Sequence, residues 1–113
     1  MFDDVAGVTL GSALSALSAR QRITADNIAN IDTPNFSAKR LSFEASLAAA
    51  VAGGDPTSFD VTVNASDDLA NANGNNVSLD DETVIAMKDT LRSQVLASAL
   101  TAGFARISTS VKG

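Results

Sequence analysis

Cysteine, histidine, tryptophan and tyrosine are all absent from the 113-residue sequence. Without cysteine the chain can form no disulfide, thiolate zinc site or iron–sulfur cluster. Without histidine it lacks the side chain that most often acts as acid, base or metal ligand near neutral pH. Catalysis is left with few candidate groups, and we predict no catalytic residue, no cofactor and no metal site.

Large aromatic and basic residues are also scarce. The aromatic residues are five phenylalanines, and 20 of the apolar residues are alanines, so one chain can bury little apolar area alone. Eight basic residues against 13 acidic ones give a net charge of −5, and the basic residues are scattered along the sequence. This distribution argues against a nucleic acid partner. The N-terminus lacks the basic region of a secretory signal, so we expect a soluble chain without a cleaved leader.

Apolar residues recur with helical spacing in two long segments at the ends of the chain. The first runs from about residue 3 to residue 31, with two polar positions in the middle of its seam. The second begins near Leu79, where Ser78 or Asp80 can cap it, and continues almost to the C-terminus. The predicted seam residues are Leu10, Leu14, Leu17, Leu91, Leu96, Leu100, Phe104 and Ile107.

The second helix carries no charge from residue 93 to residue 105. A helix exposed on one side normally carries charges there. Two helices cannot cover each other on every face, so other protein chains most simply supply the missing cover. We therefore predict a subunit of an assembly, in which Arg20 and Arg22 are solvated or paired with acidic residues of adjacent subunits. The alternative is a small homo-oligomeric helical bundle that acts as an adaptor or a secreted interaction protein.

The segment that connects the two helices has a different composition. A short helix is predicted over Leu41–Ala52, with Ser42 as a cap and a glycine pair after it. An extended segment is predicted over Ser58–Asn64 because apolar residues alternate there. Residues 64–76, rich in asparagine and aspartate, are predicted to form a flexible loop.

The fold prediction is an all-α domain over residues 1–113. It comprises an N-terminal helix over residues 1–32, a connecting segment over residues 33–78 and a C-terminal helix over residues 79–113. The two long helices pack as a coiled-coil pair. The connecting segment adds one short helix and at most one short strand or hairpin.

The densest local signal lies at the end of the first helix. Pro34 keeps the residue before it extended, so the helix must stop there. Pro34-Asn35 fits the centre of a type II turn, in which Asn35 takes a positive φ. Asn27 and Asn30 lie one helical turn apart. Their amides either bind a packed neighbour and fix its register, or merely end the helix.

These residues resemble the N-terminal signature of the bacterial flagellar rod and hook axial proteins. A second stretch, ahead of the C-terminal helix, is similar to the smallest members of that family, the proximal rod type. The assembly signature comprises Asn27, Ile28, Ala29, Asn30, Thr33, Pro34, Asn35 and Phe36, followed by Gly74, Asn75, Asn76 and Val77. Ser93 departs from the family, since relatives commonly carry an aromatic residue there.

The resemblance implies a structural subunit of the flagellar basal-body rod. Such a subunit is exported uncleaved by the flagellar type III apparatus and polymerises in the periplasm into a shaft that transmits motor torque. The implied partners are further copies, other rod proteins, the adaptor at the base of the rod, the membrane ring proteins and the export apparatus. Neither nucleic acid nor a small-molecule substrate is expected.

Acidic residues support two weaker hypotheses. Asn71, Asn73, Gly74 and Asp80 have the spacing of a calcium loop, but its first position is Leu69 and the final glutamate is missing.

Paired carboxylates can also act as acid and base, which draws attention to the acidic runs 67–68 and 80–82. The first run falls in the predicted flexible loop. The second is explained by the dipole at a helix N-terminus, so neither run predicts an active site.

Overall fold

The computed structural model describes the backbone of residues 2–112 and the side chains of residues 5–103. The elements along the chain are α1 (Phe2–Ala29), β1 (Lys39–Ser42), α2 (Glu44–Ala52), β2 (Thr62–Ala65) and α3 (Leu79–Lys112). The mostly helical fold with two long terminal helices is as predicted. The predicted seam residues Phe104 and Ile107 lie outside the residues whose side chains are described.

The helices α1 and α3 lie side by side and run in opposite directions. Arg20 of α1 binds Asp89 of α3, while Asn27, seven residues later, binds Glu82, seven residues earlier on α3. Heptad spacing on both helices brings these residues onto one line of contact. Further along, the contact is apolar and involves Ala13, Ala16, Leu17 and Leu96.

This line of contact is shifted around α1 from the predicted seam. Leu17 is only 1% exposed, but Leu91 of α3 is 61% exposed. The other described seam residues, which are half-buried, are Leu10, Leu14, Leu96 and Leu100. The seam was predicted from hydropathy, whereas Arg20 and Asn27 occupy the contact line because acidic residues of α3 bind them.

A two-stranded antiparallel ribbon joins distant parts of the connecting segment. Its register sets Leu41 of β1 opposite Val63 of β2. Because α2 lies between the strands in the sequence, the ribbon is not a hairpin. The predicted start of the short helix was wrong: Leu41 and Ser42 belong to β1, and α2 begins at Glu44 without a side-chain cap. Leu41 is buried as an inward residue of the ribbon, which its apolar spacing alone could not distinguish from a helix position.

The hydrophobic core is small and lies where α1, the ribbon and α2 meet. It joins Leu17, Leu41 and Leu47, one residue from each element. Phe43 packs edge-on against Phe59, with 6.4 Å between the ring centroids. Among the described side chains of α3, Leu96 is the one that packs against this core.

The start of α3 is capped by Ser78 and not by Asp80. The Oγ of Ser78 accepts a hydrogen bond from N of Asp81 at 3.3 Å. The carbonyl of Ser78 accepts from N of Glu82 at 2.9 Å. Among the described helices, none has the length and apolarity needed to cross a membrane.

The turn after α1 has the predicted conformation at its centre. Asn35 has a φ of 61°, and N of Phe36 donates to O of Thr33 at 3.3 Å. The helix itself ends at Ala29, slightly before the predicted end. Asparagine tolerates the left-handed region better than most residues with a Cβ.

The turn gives a first prediction. Replacing Asn35→Val should lower the free energy of unfolding by about 1–2 kcal/mol, because a β-branched residue resists positive φ. Asn35→Gly, which carries no such strain, should stay close to wild type. Urea denaturation of the purified chains measures both values, and equal midpoints for Asn35→Val and wild type would contradict the assignment.

Candidate functional site: a polar joint between two motifs

The two signature motifs fold against each other although they are far apart in the sequence. The backbone N of Asn35 donates to O of Asn73 at 2.9 Å, and N of Asn76 donates to O of Phe36 at 3.3 Å. We call this region the asparagine joint, which consists of Asn27, Asn75, Asn76 and the turn over residues 33–36. It places the end of α1 against the start of α3.

Asn75 ties the second motif to the end of α1. Its side chain is fully buried, and Nδ2 donates to O of Asn30 at 2.8 Å and to O of Thr33 at 2.7 Å. Its Oδ1 accepts from N of Val77 at 2.8 Å. Both carbonyls belong to the first motif and follow the last turn of α1, where carbonyl groups lack helical partners.

Asn76 holds the chain on both sides of the ribbon. Its Oδ1 accepts from N of Ala38 at 2.7 Å, just before β1. Its Nδ2 donates to the carbonyls of Ser66 and Asp68, both at 3.2 Å, just after β2. One buried side chain therefore fixes where the ribbon sits relative to α3.

Asn27 docks β1 onto both long helices. Its Oδ1 accepts from N of Lys39 and its Nδ2 donates to O of Lys39, each at 3.0 Å. The amide thus binds the strand as a neighbouring peptide group would. Its second hydrogen goes to Oε2 of Glu82 on α3 at 3.1 Å.

The three buried asparagines share one chemistry. Each side chain donates both amide hydrogens and accepts one hydrogen bond through its oxygen, so each makes three hydrogen bonds. Aspartate has the same shape but offers no donors when ionised, and alanine offers no polar group at all. Asparagine at these positions is therefore required by contacts within the chain.

Asn27 and Asn30 have different roles. Asn27 fixes the register of neighbouring elements, which was one of the two hypotheses. These elements are β1 and α3 of its own chain. Asn30 acts locally: its Nδ2 donates to O of Asp26 at 2.8 Å, and its Oδ1 accepts from Oγ1 of Thr33 at 3.1 Å. Asn30 therefore ends the helix.

The remaining signature residues surround the joint. Gly74 has a φ of 81°, and a Cβ there would overlap Oδ1 of Asn35, so the two motifs meet too closely for a side chain. Val77 is buried. Ile28 and Phe36 are half-buried, and the exposed signature residues are Ala29, Thr33, Pro34 and Asn35. That these residues mediate assembly stays a prediction.

The predicted flexible loop over residues 64–76 is held by contacts along its length, and its first two residues belong to β2. N of Asn71 donates to O of Asn75 at 2.7 Å, and N of Gly74 donates to O of Asn71 at 2.9 Å. Composition identified the turn-forming residues correctly. It gave no indication that two of the asparagines are buried against backbone groups of distant residues.

Two fully buried acidic residues of α3, Glu82 and Asp89, lie next to the asparagine joint. Glu82 accepts from Asn27 and forms an ion pair with Nη1 of Arg40 at 2.6 Å. Asp89 accepts two hydrogen bonds at 2.9 Å, from Nε and Nη2 of Arg20. The sequence explains Glu82 only as a negative charge that favours a helix N-terminus, and it assigns no role to Asp89. The two residues lie seven positions apart on α3, as Arg20 and Asn27 do on α1.

Arg20 connects four elements from its position on α1. Besides Asp89, its Nη1 contacts Oε1 of Glu44 on α2 at 2.6 Å and O of Leu41 in β1 at 3.4 Å. Its guanidinium lies 5.1 Å from the ring centroid of Phe43, within cation–π range. The prediction that Arg20 is solvated or paired with another subunit was therefore wrong, because its acidic partners belong to its own chain.

The charges of Arg20, Asp89 and Glu44 stabilise one another. Burial alone would lower the pKa of Arg20, but the hydrogen bonds and charges of Asp89 and Glu44 outweigh it and raise that pKa. Burial likewise opposes ionisation of Glu44, yet hydrogen bonding to Arg20 brings the pKa of Glu44 below its usual value. The guanidinium therefore stays charged. Arg22 is exposed and donates to Oγ of Ser18 at 3.2 Å.

The arrangement is suited to holding elements together. Within the described part of the chain, every buried polar side-chain atom has a hydrogen-bond partner. No group of three or more acidic side chains that could hold a metal ion occurs among the same residues. The buried carboxylates of Glu82 and Asp89 are engaged by arginine side chains, so neither is a free acid, although Asp89 also lines a groove between α1, β1 and α3.

Comparisons of the sequence with known proteins indicate the family of this chain. The sequence profile of a family described as flagella basal body rod protein matches residues 9–36. Flagellar basal body rod protein FlgB of Bacillus subtilis strain 168 is 32% identical over 117 residues, which cover 92% of this chain and 91% of that protein. FlgB of Borreliella burgdorferi is 34% identical over 91 residues, covering 61% and 67%. FlgB of Borrelia hermsii is 55% identical over 38 residues, covering 34% and 28%.

The long antiparallel helices and the polar joint between them are thus those of a structural protein of the bacterial flagellum, and the family is not one of enzymes. The chain belongs to the flagellar basal body rod protein family and is of the FlgB type. It is a structural subunit of the basal-body rod.

The buried ion pair gives a second prediction. Asp89→Ala should lower the free energy of unfolding by about 3–5 kcal/mol, because it leaves Arg20 without its main partner in a buried position. The double variant Arg20→Met with Asp89→Leu should recover most of that loss, since no buried charge is left unpaired and Glu44, which also loses Arg20, is exposed to solvent. Urea denaturation tests this, and equal losses in the single and double variants would contradict it.

The asparagine joint gives a third prediction. Asn75→Asp should cost about 1–3 kcal/mol, because a carboxylate would face two carbonyl oxygens in place of two donors. Asn71→Asp introduces the same charge at an exposed site in the same loop and serves as the matched control. A similar thermal midpoint for both variants would show that the buried amide is dispensable.

Proposed function

We propose that the chain forms part of the proximal rod, where neighbouring copies and other rod proteins cover the outer face of α3. The observation that supports this is an outer stripe of large apolar residues on α3. Val84, Met87, Leu91 and Val95 are 49%, 61%, 61% and 68% exposed. Their spacing of three and four residues places them on one face of the helix.

The outer stripe lies opposite the contact with α1. Leu91 is two residues after Asp89, and Val84 is two residues after Glu82, which is roughly 200° around a helix at 3.6 residues per turn. One face of α3 is therefore covered by the chain's own α1, while the exposed stripe faces away from it and borders grooves that α1 and α2 also line. The molecule measures 64 × 25 × 14 Å, and the exposures of these four residues show that no element among the described residues covers the stripe.

Contacts of this kind suit a filament. A stripe on one subunit that packs on a different surface of the next forms a heterologous contact, which builds an open helix when it does not close into a ring. The ion pairs and asparagines between α1 and α3 make each subunit stiff, a property that a torque-carrying shaft needs. Export through the flagellar type III apparatus, a periplasmic position, and contacts with the base adaptor and membrane rings complete the proposal, which involves no catalysis.

The fourth prediction tests the outer stripe. Leu91→Asp should leave the stability of the purified chain within about 0.5 kcal/mol of wild type, because the side chain is exposed there. In cells it should abolish rod assembly and swimming, since the charge would be buried between subunits. Swimming assays and isolated basal bodies, in a strain whose own copy is deleted, give the readout.

Val61→Asp is the matched control, because Val61 is 44% exposed but lies outside α3. It should still assemble. Normal basal bodies with Leu91→Asp would overturn the proposed packing. A closed dimer or tetramer of the wild-type chain in dilute buffer would favour the oligomeric adaptor.

A further inference from the structure

The basic residues converge in the fold although they are scattered in the sequence. Five of the chain's eight line one groove of about 290 Å³ between α1, β1 and α3. They are Arg20, Lys39, Arg40, Lys88 and Arg92. The groove is thus locally basic on a chain whose net charge is −5.

Part of this positive charge is left over after internal pairing. Arg20 and Arg40 bind buried acids, as described above, and Arg92 lies 3.4 Å from Asp89. Lys39 and Lys88 are exposed, and no carboxylate among the described side chains lies within 4.0 Å of either ammonium group. Apolar side chains of Ile23 and Ile85 also line the groove.

The same chain carries a segment of complementary character. Residues 67–69 present two aspartates followed by Leu69, which is 95% exposed. The segment is held in place, because Nδ2 of Asn76 donates to the carbonyls of Ser66 and Asp68. A leucine held almost fully in solvent beside two acids matches a groove that offers lysines beside isoleucines.

One intrachain contact shows that this groove accepts such acids. Asp68 lies 3.8 Å from Nη2 of Arg40 at the edge of the groove. Asp67 and Leu69 are exposed, so both side chains are available for a further contact. We infer that the acidic segment 67–69 of a second copy of this chain docks into the basic groove, with Asp67 near Lys88.

This inference rests on the proposed function and names a surface through which copies meet in the rod. It is independent of the outer stripe, because the groove involves α1 and β1 as well as α3. Groove and segment are different surfaces of the chain, so the contact is heterologous and can repeat along a filament.

Cysteine cross-linking tests the inference directly, since the chain contains no cysteine of its own. Two differently tagged copies, one with Lys88→Cys and one with Asp67→Cys, are expressed together in flagellated cells. A short bifunctional thiol-reactive cross-linker, applied to isolated basal bodies, should link the two copies into a heterodimer, which only a contact between two chains can produce. A linker is used because an ion pair between lysine and aspartate holds the two Cβ atoms farther apart than a disulfide allows. Arg22→Cys paired with Asp67→Cys is the matched control and should give none, because Arg22 lies outside the groove.

The outcomes separate this inference from the proposed function. Both tagged copies in basal bodies without a heterodimer would overturn the docking and leave the rod assignment intact. Absence of the wild-type chain from basal bodies would overturn the rod assignment itself.

A charge swap covers the case in which a cysteine variant does not assemble. Lys88→Glu should abolish swimming, and adding Asp67→Lys should restore it; failure of that rescue would overturn the inference. Binding of a short DNA duplex to the purified chain near 0.15 M salt, lost in Lys88→Glu, would assign the groove to a phosphate backbone and also overturn it.

Discussion

The structure depends on two carboxylates that are buried between its two long helices. A buried charge is tolerated only where it is paired and hydrogen-bonded. Asp89 meets this condition opposite Arg20, and Glu82 meets it opposite Asn27 and Arg40. Because both pairs fit at a single alignment of the antiparallel helices, they specify the register more sharply than alanine and leucine contacts could. The ribbon is bound at one of these contacts, through Asn27 and Glu82, and α2 is bound at the other, through Arg20.

The asparagine joint extends this constraint to the connecting segment. Asn75 and Asn76 bind backbone groups on either side of the turn and the ribbon, so the segment is tied to the ends of both helices. Buried polar groups of this kind specify one arrangement and bury little apolar area. The subunit is thus fixed internally by polar contacts, while its apolar outer stripe stays exposed.

Much of the fold could be predicted from the sequence, because local rules determine it. Helical periodicity located the long helices, and the Pro34-Asn35 pair located the turn with its positive φ. The signature asparagines were identified by resemblance, but their partners were not. Arg20 and Asp89 meet across 69 positions of sequence, and hydropathy places both in solvent. The extended segment predicted over residues 58–64 overlaps β2, but its pairing with β1 was missed for the same reason, because the two strands pair across an intervening helix.

Distances between α1 and α3 test the central claim most directly. Nitroxide labels at Arg22→Cys and Gln94→Cys, measured by pulsed electron resonance on the purified chain, should give one narrow distance distribution. Replacing both Glu82 and Asp89 by leucine should broaden or shift it, with a one-heptad slip moving the helices by about 10 Å. Replacing the exposed acids Asp80 and Asp81 by leucine should leave it unchanged. An equally narrow, unshifted distribution in the Glu82 and Asp89 variant would contradict the account.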